Sequence, residues 1–543
     1  MTAECFPISH VPGTSALFRA FCEGATNDAA RQSLAEWYPA KPFTNDWAMQ
    51  SPTLPAEHRG ALADALKIQA TKFAAGEAAL ANIEKLREGA ATVVTGQQVG
   101  LFGGPLLTLL KASTAIRKAK DATEASGREH VPVFWLASED HDLAEVDQAA
   151  FLTKTEVETI SLDLKAERPV PVGGLPIDAE GTLDARLDYA CDLFAWGPFA
   201  DTLREAYAAG ETLASAFGKL LTKVFAPFGL IVMDAAGREF HALGAKALRG
   251  AIENAAELEA ALLTRTSELE SQGFHAQVLV AAGHSLLFLL DAETGARQAL
   301  KRSGDEWKAG AKTYSTADLL AILAAEPERI SPNALLRPVF QDTILPTAAY
   351  VGGPAEVAYF AQSAVVFEQL LGRITPVLPR LSATLIEPTI AKVMEQHEVD
   401  VRGVWDAKTV DALALKFGAR ALPIEAKRKL AAVGNAMDAE LTALTEYAEG
   451  LNAELAKAAG VSASKMRYQM NRLRRMAASF ELQKEASLRK HAAAIMLHLL
   501  PDGHLQERVL AGAWFLAKDE GSLLDTLVEY AGLECPGHRV LFL

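Results

Sequence analysis

The sequence predicts an α/β fold: a parallel sheet core with insertions, followed by a long antiparallel α-helical coiled coil. Three observations carry this. Val93–Ala112 reads VVTGQQVGLFGGPLLTLLKA, a β-branched strand passing through a glycine-rich turn into an apolar helix. About one crossover later, Val131–Asp142 reads VPVFWLASEDHD, a buried strand ending in a polar cluster. From Ile424 onward, apolar residues recur every three or four positions along two long segments.

A chain of 543 residues needs more than one core. The pattern divides it into a core over residues 1–385 with insertions at about 150–330, a coiled-coil domain over 386–510, and a segment 511–543 that returns to the core. Ala61–Glu88 is alanine-rich and helical, leading into a first strand at Ala91–Val94. A helix from about Pro105 to Lys120 joins this strand to the one at Val131, making one βαβ unit. Both polar clusters then fall at the same sheet edge, where parallel sheets bind ligands.

Ala150–Val172 alternates short apolar and polar runs, as strands of an insertion would. Leu203–Phe225 and Phe240–Ser271 read as helices on either side of a short strand, GLIVMD, at Gly229–Asp234. Gln277–Leu290 is β-rich, and Ser331–Arg380 returns to dense loop chemistry. There Gly352, Gly353 and Pro354 open a helix that carries Glu356 in its first turn. In the coiled coil, Leu430, Val433, Met437, Leu441, Leu444, Ala448, Leu451 and Leu455 face Met466, Met470, Leu473, Met476 and Phe480 across a turn at Gly460. A stripe of this length predicts a homodimer.

Composition narrows the function. Half the residues are hydrophobic and 22% are charged, an ordinary globular balance. A net charge of −15 argues against a nucleic-acid partner, which would require a basic face. The longest apolar run, Val278–Leu290, is interrupted and too short to span a membrane. No signal peptide is visible, so a cytoplasmic enzyme is expected. Cys5, Cys22, Cys191 and Cys535 are scattered without a CxxC pair, which indicates neither a structural metal nor a disulfide framework.

Candidate site residues cluster at the two junctions. In the first, Thr95, Gly96, Gln97, Gln98, Gly100, Gly103 and Pro105 would aim backbone N–H groups at an anion, with Lys111 two turns into the helix. In the second, Ser138 and Glu139 precede Asp140, His141 and Asp142, an imidazole among carboxylates suited to proton transfer or to divalent metal ligation. Arg337, Tyr350, Gly352, Gly353, Glu356 and Arg508 complete the set, Arg337 being the best grip for a carboxylate or phosphate. His275 and His284 are expected as hydrogen-bonded core residues.

The motifs TGQQVGLFGGP with Lys111, PVFWLASEDHD, SPNALLRP, LPTAAYVGGPAEVAYF, PVLPRLSAT and LQERVL occur in order over essentially the whole chain. Together they resemble the BshC family of cysteine ligases in bacillithiol biosynthesis. The resemblance implies a Rossmann-like core, a coiled-coil dimer, and amide formation between L-cysteine and glucosaminyl malate. Such a reaction points to ATP or ADP as the nucleotide, with Gln97 to Pro105 near it and Asp140, His141 and Asp142 lining the substrate pocket; no metal is expected. Two other readings stay open from the residues alone: a metal-dependent hydrolase built on Glu139–Asp142, and a non-catalytic nucleotide-binding dimer.

Overall fold

The computed structural model describes every residue except Met1, Asp305 and Glu520, and for Thr2 the backbone only. The central sheet has five strands: β1 (Ala91–Gln98), β2 (His130–Ala137), β3 (Ile231–Asp234), β4 (Thr347–Gly352) and β5 (Val377–Pro379). All pairings are parallel, in the order β5-β4-β1-β2-β3. Helices α1 (Leu107–Ser126), α2 (Arg238–Glu253) and α3 (Pro354–Leu371) follow β1, β3 and β4. The chain adds strands on one side of β1, then crosses to the other side with β4. Such a reversal leaves a crevice outside the carboxyl ends of β1 and β4.

Strand β2 is buried from end to end because a parallel sheet is covered on both faces. Alternation sorts its side chains. Val131, Val133 and Trp135 join Phe340 and Val357 on one face, while Phe134 and Leu136 join Leu109, Leu110 and Phe217 on the other. Each such side chain contributes roughly 1.5–3 kcal/mol through burial. Helix α1 stops where Gly127 turns left-handed (φ 70°) and its N–H bonds Thr123 O.

The insertions form separate small sheets. Lys312–Ser315, Glu306–Ala309, Arg297–Ser303, His284–Leu290 and Ile330–Pro332 make an antiparallel sheet in that order, and Ala149–Leu152 pairs with Val157–Ile160. A third sheet sets the first strand, Thr2–Pro7, beside the last, Gly537–Phe542, which also pairs with Ala383–Ile386. This brings Cys5 and Cys535 into a disulfide, with Cα atoms 5.9 Å apart. The expectation of no disulfide is thereby corrected. Pairing between the chain's two ends leaves no trace in local cysteine spacing.

Several long helical patterns are broken in the fold. Ala61–Glu88 divides into Ala56–Lys72 and Glu77–Glu88, Leu203–Phe225 into Pro198–Ala206 and Leu213–Val224, and Phe240–Ser271 into α2 and Ala255–Ser271. In the second case Thr212 and Ser215 form a capping box that starts a new helix. The coiled coil comprises α4 (Ile424–Leu451) and α5 (Ala453–Lys484), so the hairpin turns at Asn452 and not at Gly460. Asn452 Oδ1 accepts the N–H groups of Glu454 and Leu455, a cap that Gly460 has no side chain to provide. Leu441, Ala448, Ala463, Met470 and Ala478 are buried, whereas Leu444, Leu451, Leu455, Met466, Leu473, Met476 and Phe480 are exposed. His275 and His284 are also exposed, against the expectation of core histidines. Among the described residues, no helix is long and apolar enough to cross a membrane.

Candidate active site

A cavity of about 370 Å³ lies at the sheet's reversal, lined by Gly96, Gln97 and Gln98 of β1, Tyr350 of β4, and Gly353 and Glu356 at the start of α3. Asp140, Trp135, Tyr359 and four cations, Lys111, Arg337, Arg380 and Arg508, complete its wall. Two of these cations are already engaged. Lys111 Nζ donates to Gly96 O (2.7 Å), Gln97 Oε1 (2.9 Å) and Glu356 Oε2 (2.6 Å). An ammonium has three hydrogens, so none remains for a ligand. Burial lowers the Lys111 pKa, and the charge of Glu356 opposes that shift. Glu356 in turn accepts the Tyr350 hydroxyl (2.6 Å) and the Gly353 N–H (2.7 Å).

Arg380 forks onto Glu507 at 3.0 and 2.6 Å. Glu507 also accepts from Ser382 Oγ and the Ala383 N–H. Burial pushes this carboxyl up, but Arg380 more than reverses the effect and holds it at about 2. Arg337 and Arg508 differ: among the described residues neither makes an ion pair or a side-chain hydrogen bond. The cavity therefore presents two guanidiniums whose N–H groups have no side-chain partner, with Asp140 the charge that Arg337 influences.

The SEDHD residues diverge. Ser138 Oγ donates to Asp234 Oδ1 (2.5 Å), away from the cavity. Glu139 Oε1 meets Nε2 of the fully buried His241 at 2.9 Å. Nδ1 of His241 faces the carbonyls of Pro327 and Ile330, so it carries a hydrogen, while Nε2 faces the Glu139 carboxylate. Burial opposes both charges, but the pair prevails, raising the His241 pKa and lowering that of Glu139. Asp140 faces the cavity, accepting the His141 N–H (2.8 Å) and Gln98 Nε2 (3.4 Å). Its pKa, raised by burial, is brought below the usual range by Arg337 and these hydrogen bonds. His141 lies outside the lining, with Nδ1 3.3 Å from Arg297 Nη1. Asp142 is exposed at the head of a short helix. Among the described residues, no three metal-ligating side chains converge here.

The glycine loop is packing, which corrects the expected anion cradle. Phe102, Gly103 and Gly104 all take positive φ (52°, 88° and 71°) to fold the chain back on itself. The N–H of Gly100 bonds Gln98 O, Gly103 bonds the Tyr207 hydroxyl, Gly104 bonds Leu101 O, and Leu106 bonds Leu510 O. Gly100, Gly103 and Pro105 do not line the cavity. Thr95 Oγ1 donates to Val351 O and stitches β1 to β4. At Gly352 a Cβ would meet that of Glu356 at 3.0 Å, so glycine lets α3 turn in closely.

Comparison with known proteins matches residues 1–381 to the model of the bacillithiol biosynthesis BshC N-terminal Rossmann-like domain, and residues 383–543 to that of the BshC C-terminal coiled-coil domain. The chain belongs to the BshC family. A relative from Koribacter versatilis, named "Putative cysteine ligase BshC", is 43% identical over the full length of both chains. Relatives of the same name are 35% identical in Solibacter usitatus, covering 89% of this chain and 90% of the relative, and 32% identical in Salinibacter ruber, covering 94% of each.

Within this BshC chain, sequence reasoning left out three residues that shape the site. Arg380 stood in the motif PVLPRLSAT, but a charge far along the chain does not reveal its buried partner, Glu507. His241 and Arg297 come from α2 and the inserted sheet, where no local pattern marked them.

Proposed function

We propose that this chain joins the carboxyl of L-cysteine to the amine of glucosaminyl malate, forming the amide of bacillithiol in the cytoplasm. The pair of guanidiniums free of hydrogen-bonded partners among the described residues, Arg337 and Arg508, in the switch-point cavity supports this reading, because a malyl group brings two carboxylates. A cysteine carboxylate oxygen attacks a phosphorus of ATP, an O–P bond forming as a phosphoanhydride P–O bond breaks, which gives the carboxyl a leaving group. The neutral amine attacks that carbon; the C–N bond forms, the C–O bond to the leaving group breaks, and the amine's proton passes to water. Asp140, ionised and facing the cavity, accepts a hydrogen bond from the amine and aims its lone pair.

The hydrolase alternative needs Glu139 to Asp142 to share one ion, and their side chains point to different partners. Purified protein supplied with L-cysteine, glucosaminyl malate and ATP is expected to yield bacillithiol by mass spectrometry. Arg337→Ala and Arg508→Ala should each raise KM for glucosaminyl malate about tenfold or more, the scale of a lost charged hydrogen bond. Unchanged KM in both variants would remove the malyl assignment, and absence of product in the wild type would remove the reaction.

A further inference from the structure

A second cavity, of about 400 Å³, lies behind the Ser138–Asp140 segment, at the carboxyl ends of β2 and β3. Asp234, the last residue of β3, lines it. The carboxyl is held firmly. Gln69, on the helix Ala56–Lys72, clamps the Asp234 backbone from both sides, accepting its N–H and donating to its carbonyl, each at 2.9 Å. Oδ1 accepts the Ser138 hydroxyl (2.5 Å) and the Ala236 N–H (3.1 Å). Oδ2 has no partner among the described residues, yet it is not among the sealed polar atoms, so it is open to the cavity. Burial raises the Asp234 pKa, with the Glu139 charge adding to it and the Ser138 and Ala236 hydrogen bonds and the charge of His241 opposing it.

The other polar groups indicate what this space accepts. Ser138 spends its hydrogen on Asp234 and offers only lone pairs. Glu239 adds a second carboxylate, and Thr212 and Ser215 bond each other. Among the described residues, Lys72, exposed at its helix end, is the one cation in the lining. Apolar Ala65, Ile68, Phe73 and Phe240 also line it. The free Oδ2 of Asp234 and the carboxylate of Glu239 call for hydrogen-bond donors carrying positive charge.

We propose that this cavity binds a small primary amine as its ammonium, with Asp234 Oδ2 as the principal acceptor. The inference rests on the cavity and not on the ligase reading. Such an amine could come from an amino acid or from an amino sugar. Calorimetric titration of the full chain with L-cysteine and, separately, D-glucosamine, without ATP, tests it.

At least one amine should bind the wild type. Asp234→Asn should weaken that binding about tenfold or more, while Glu425→Gln, at an exposed position on the coiled coil, leaves it unchanged. The amine that responds to Asp234 identifies the source. Should Asp234→Asn fail to fold, Ile68→Lys, at an exposed rim position, should weaken the same amine by adding a competing cation. Equal affinity in wild type and variant, or no binding of either amine, overturns the proposal. Because no turnover is measured, failure of the ligase reaction leaves this result intact.

Discussion

The guanidinium of Arg297 lies 3.3 Å from Nδ1 of His141, which makes that ring nitrogen an acceptor. Arg297 reaches it from the inserted sheet, its guanidinium 3.7 Å over the Phe288 ring and bonded to Ser331 Oγ and Pro332 O. Asp140 Oδ1 is farther from the same nitrogen, at 3.6 Å. With Nδ1 accepting from Arg297, we expect the His141 ring to carry its hydrogen on Nε2 and to present that nitrogen as a donor.

Nitrogen-15 NMR should show the Nε2–H tautomer for His141 in the wild type and its loss in Arg297→Ala. That variant should also lose about 1.5–3 kcal/mol of stability, since its acceptors are left unpaired. Arg297→Lys should restore neither property, because a single ammonium does not reproduce the planar fork. An Nδ1–H tautomer in the wild type would refute the arrangement.

Lys111 and Glu356 are a buried pair whose charges depend on each other. Lys111→Ala and Glu356→Ala should each cost about 3–5 kcal/mol, the penalty for stranding a buried charge. The double variant should cost clearly less than the two single costs added together, as read by denaturant unfolding. Additive losses would show that Lys111 is a solvated cation and return it to the list of ligand contacts.

Two groups beside the strand Ala383–Ile386 set the response to acid. His538 is fully buried between Ser382 Oγ and Thr384 Oγ1, and burial holds it neutral with a pKa down to about 4. Below its unfolded pKa of roughly 6.5 the unfolded chain binds the extra proton, so stability falls from there to about pH 4. Glu507, held at about 2 against an ordinary value of 4.5, contributes stability that is full above 4.5 and lost as pH falls toward 2. His538→Gln should flatten the upper window and Glu507→Gln the lower one in melting temperature against pH. Loss confined to one window in both variants would show that they titrate as a single unit.

The fold was legible wherever its signal is local. Strand β2 announced itself as a continuous apolar run, and Gly352–Pro354 as a helix start, because each depends on neighbouring residues. The cavity was legible only as an edge. Sequence places Gln97, Asp140 and Gly353 at strand ends, but which cations stay free depends on Glu356 and Glu507, partners 245 and 127 residues away from Lys111 and Arg380 respectively. The glycine loop misled because glycines serve tight packing as readily as ligand approach. Tyr207, which takes the Gly103 N–H, lies 104 residues downstream.

Helices α4 and α5 bury Leu441 and Met470 between them but leave Leu451 59% exposed, Leu473 54% and Met476 58%. Isolated apolar side chains on a surface are ordinary, yet a stripe repeated along both helices favours burial against a partner. The same stripe on a second copy is self-complementary, the requirement for a twofold interface. We therefore expect a homodimer in sedimentation analysis and a monomer for the double variant Leu473→Glu, Met476→Glu. Unlike seam residues, these exposed positions contribute little to the fold of one chain, so the variant's melting temperature at low concentration should stay close to that of the wild type. A monomeric wild type across the micromolar range would leave the stripe without this occupant, whereas a dimer that survives both glutamates would locate the interface elsewhere on the chain.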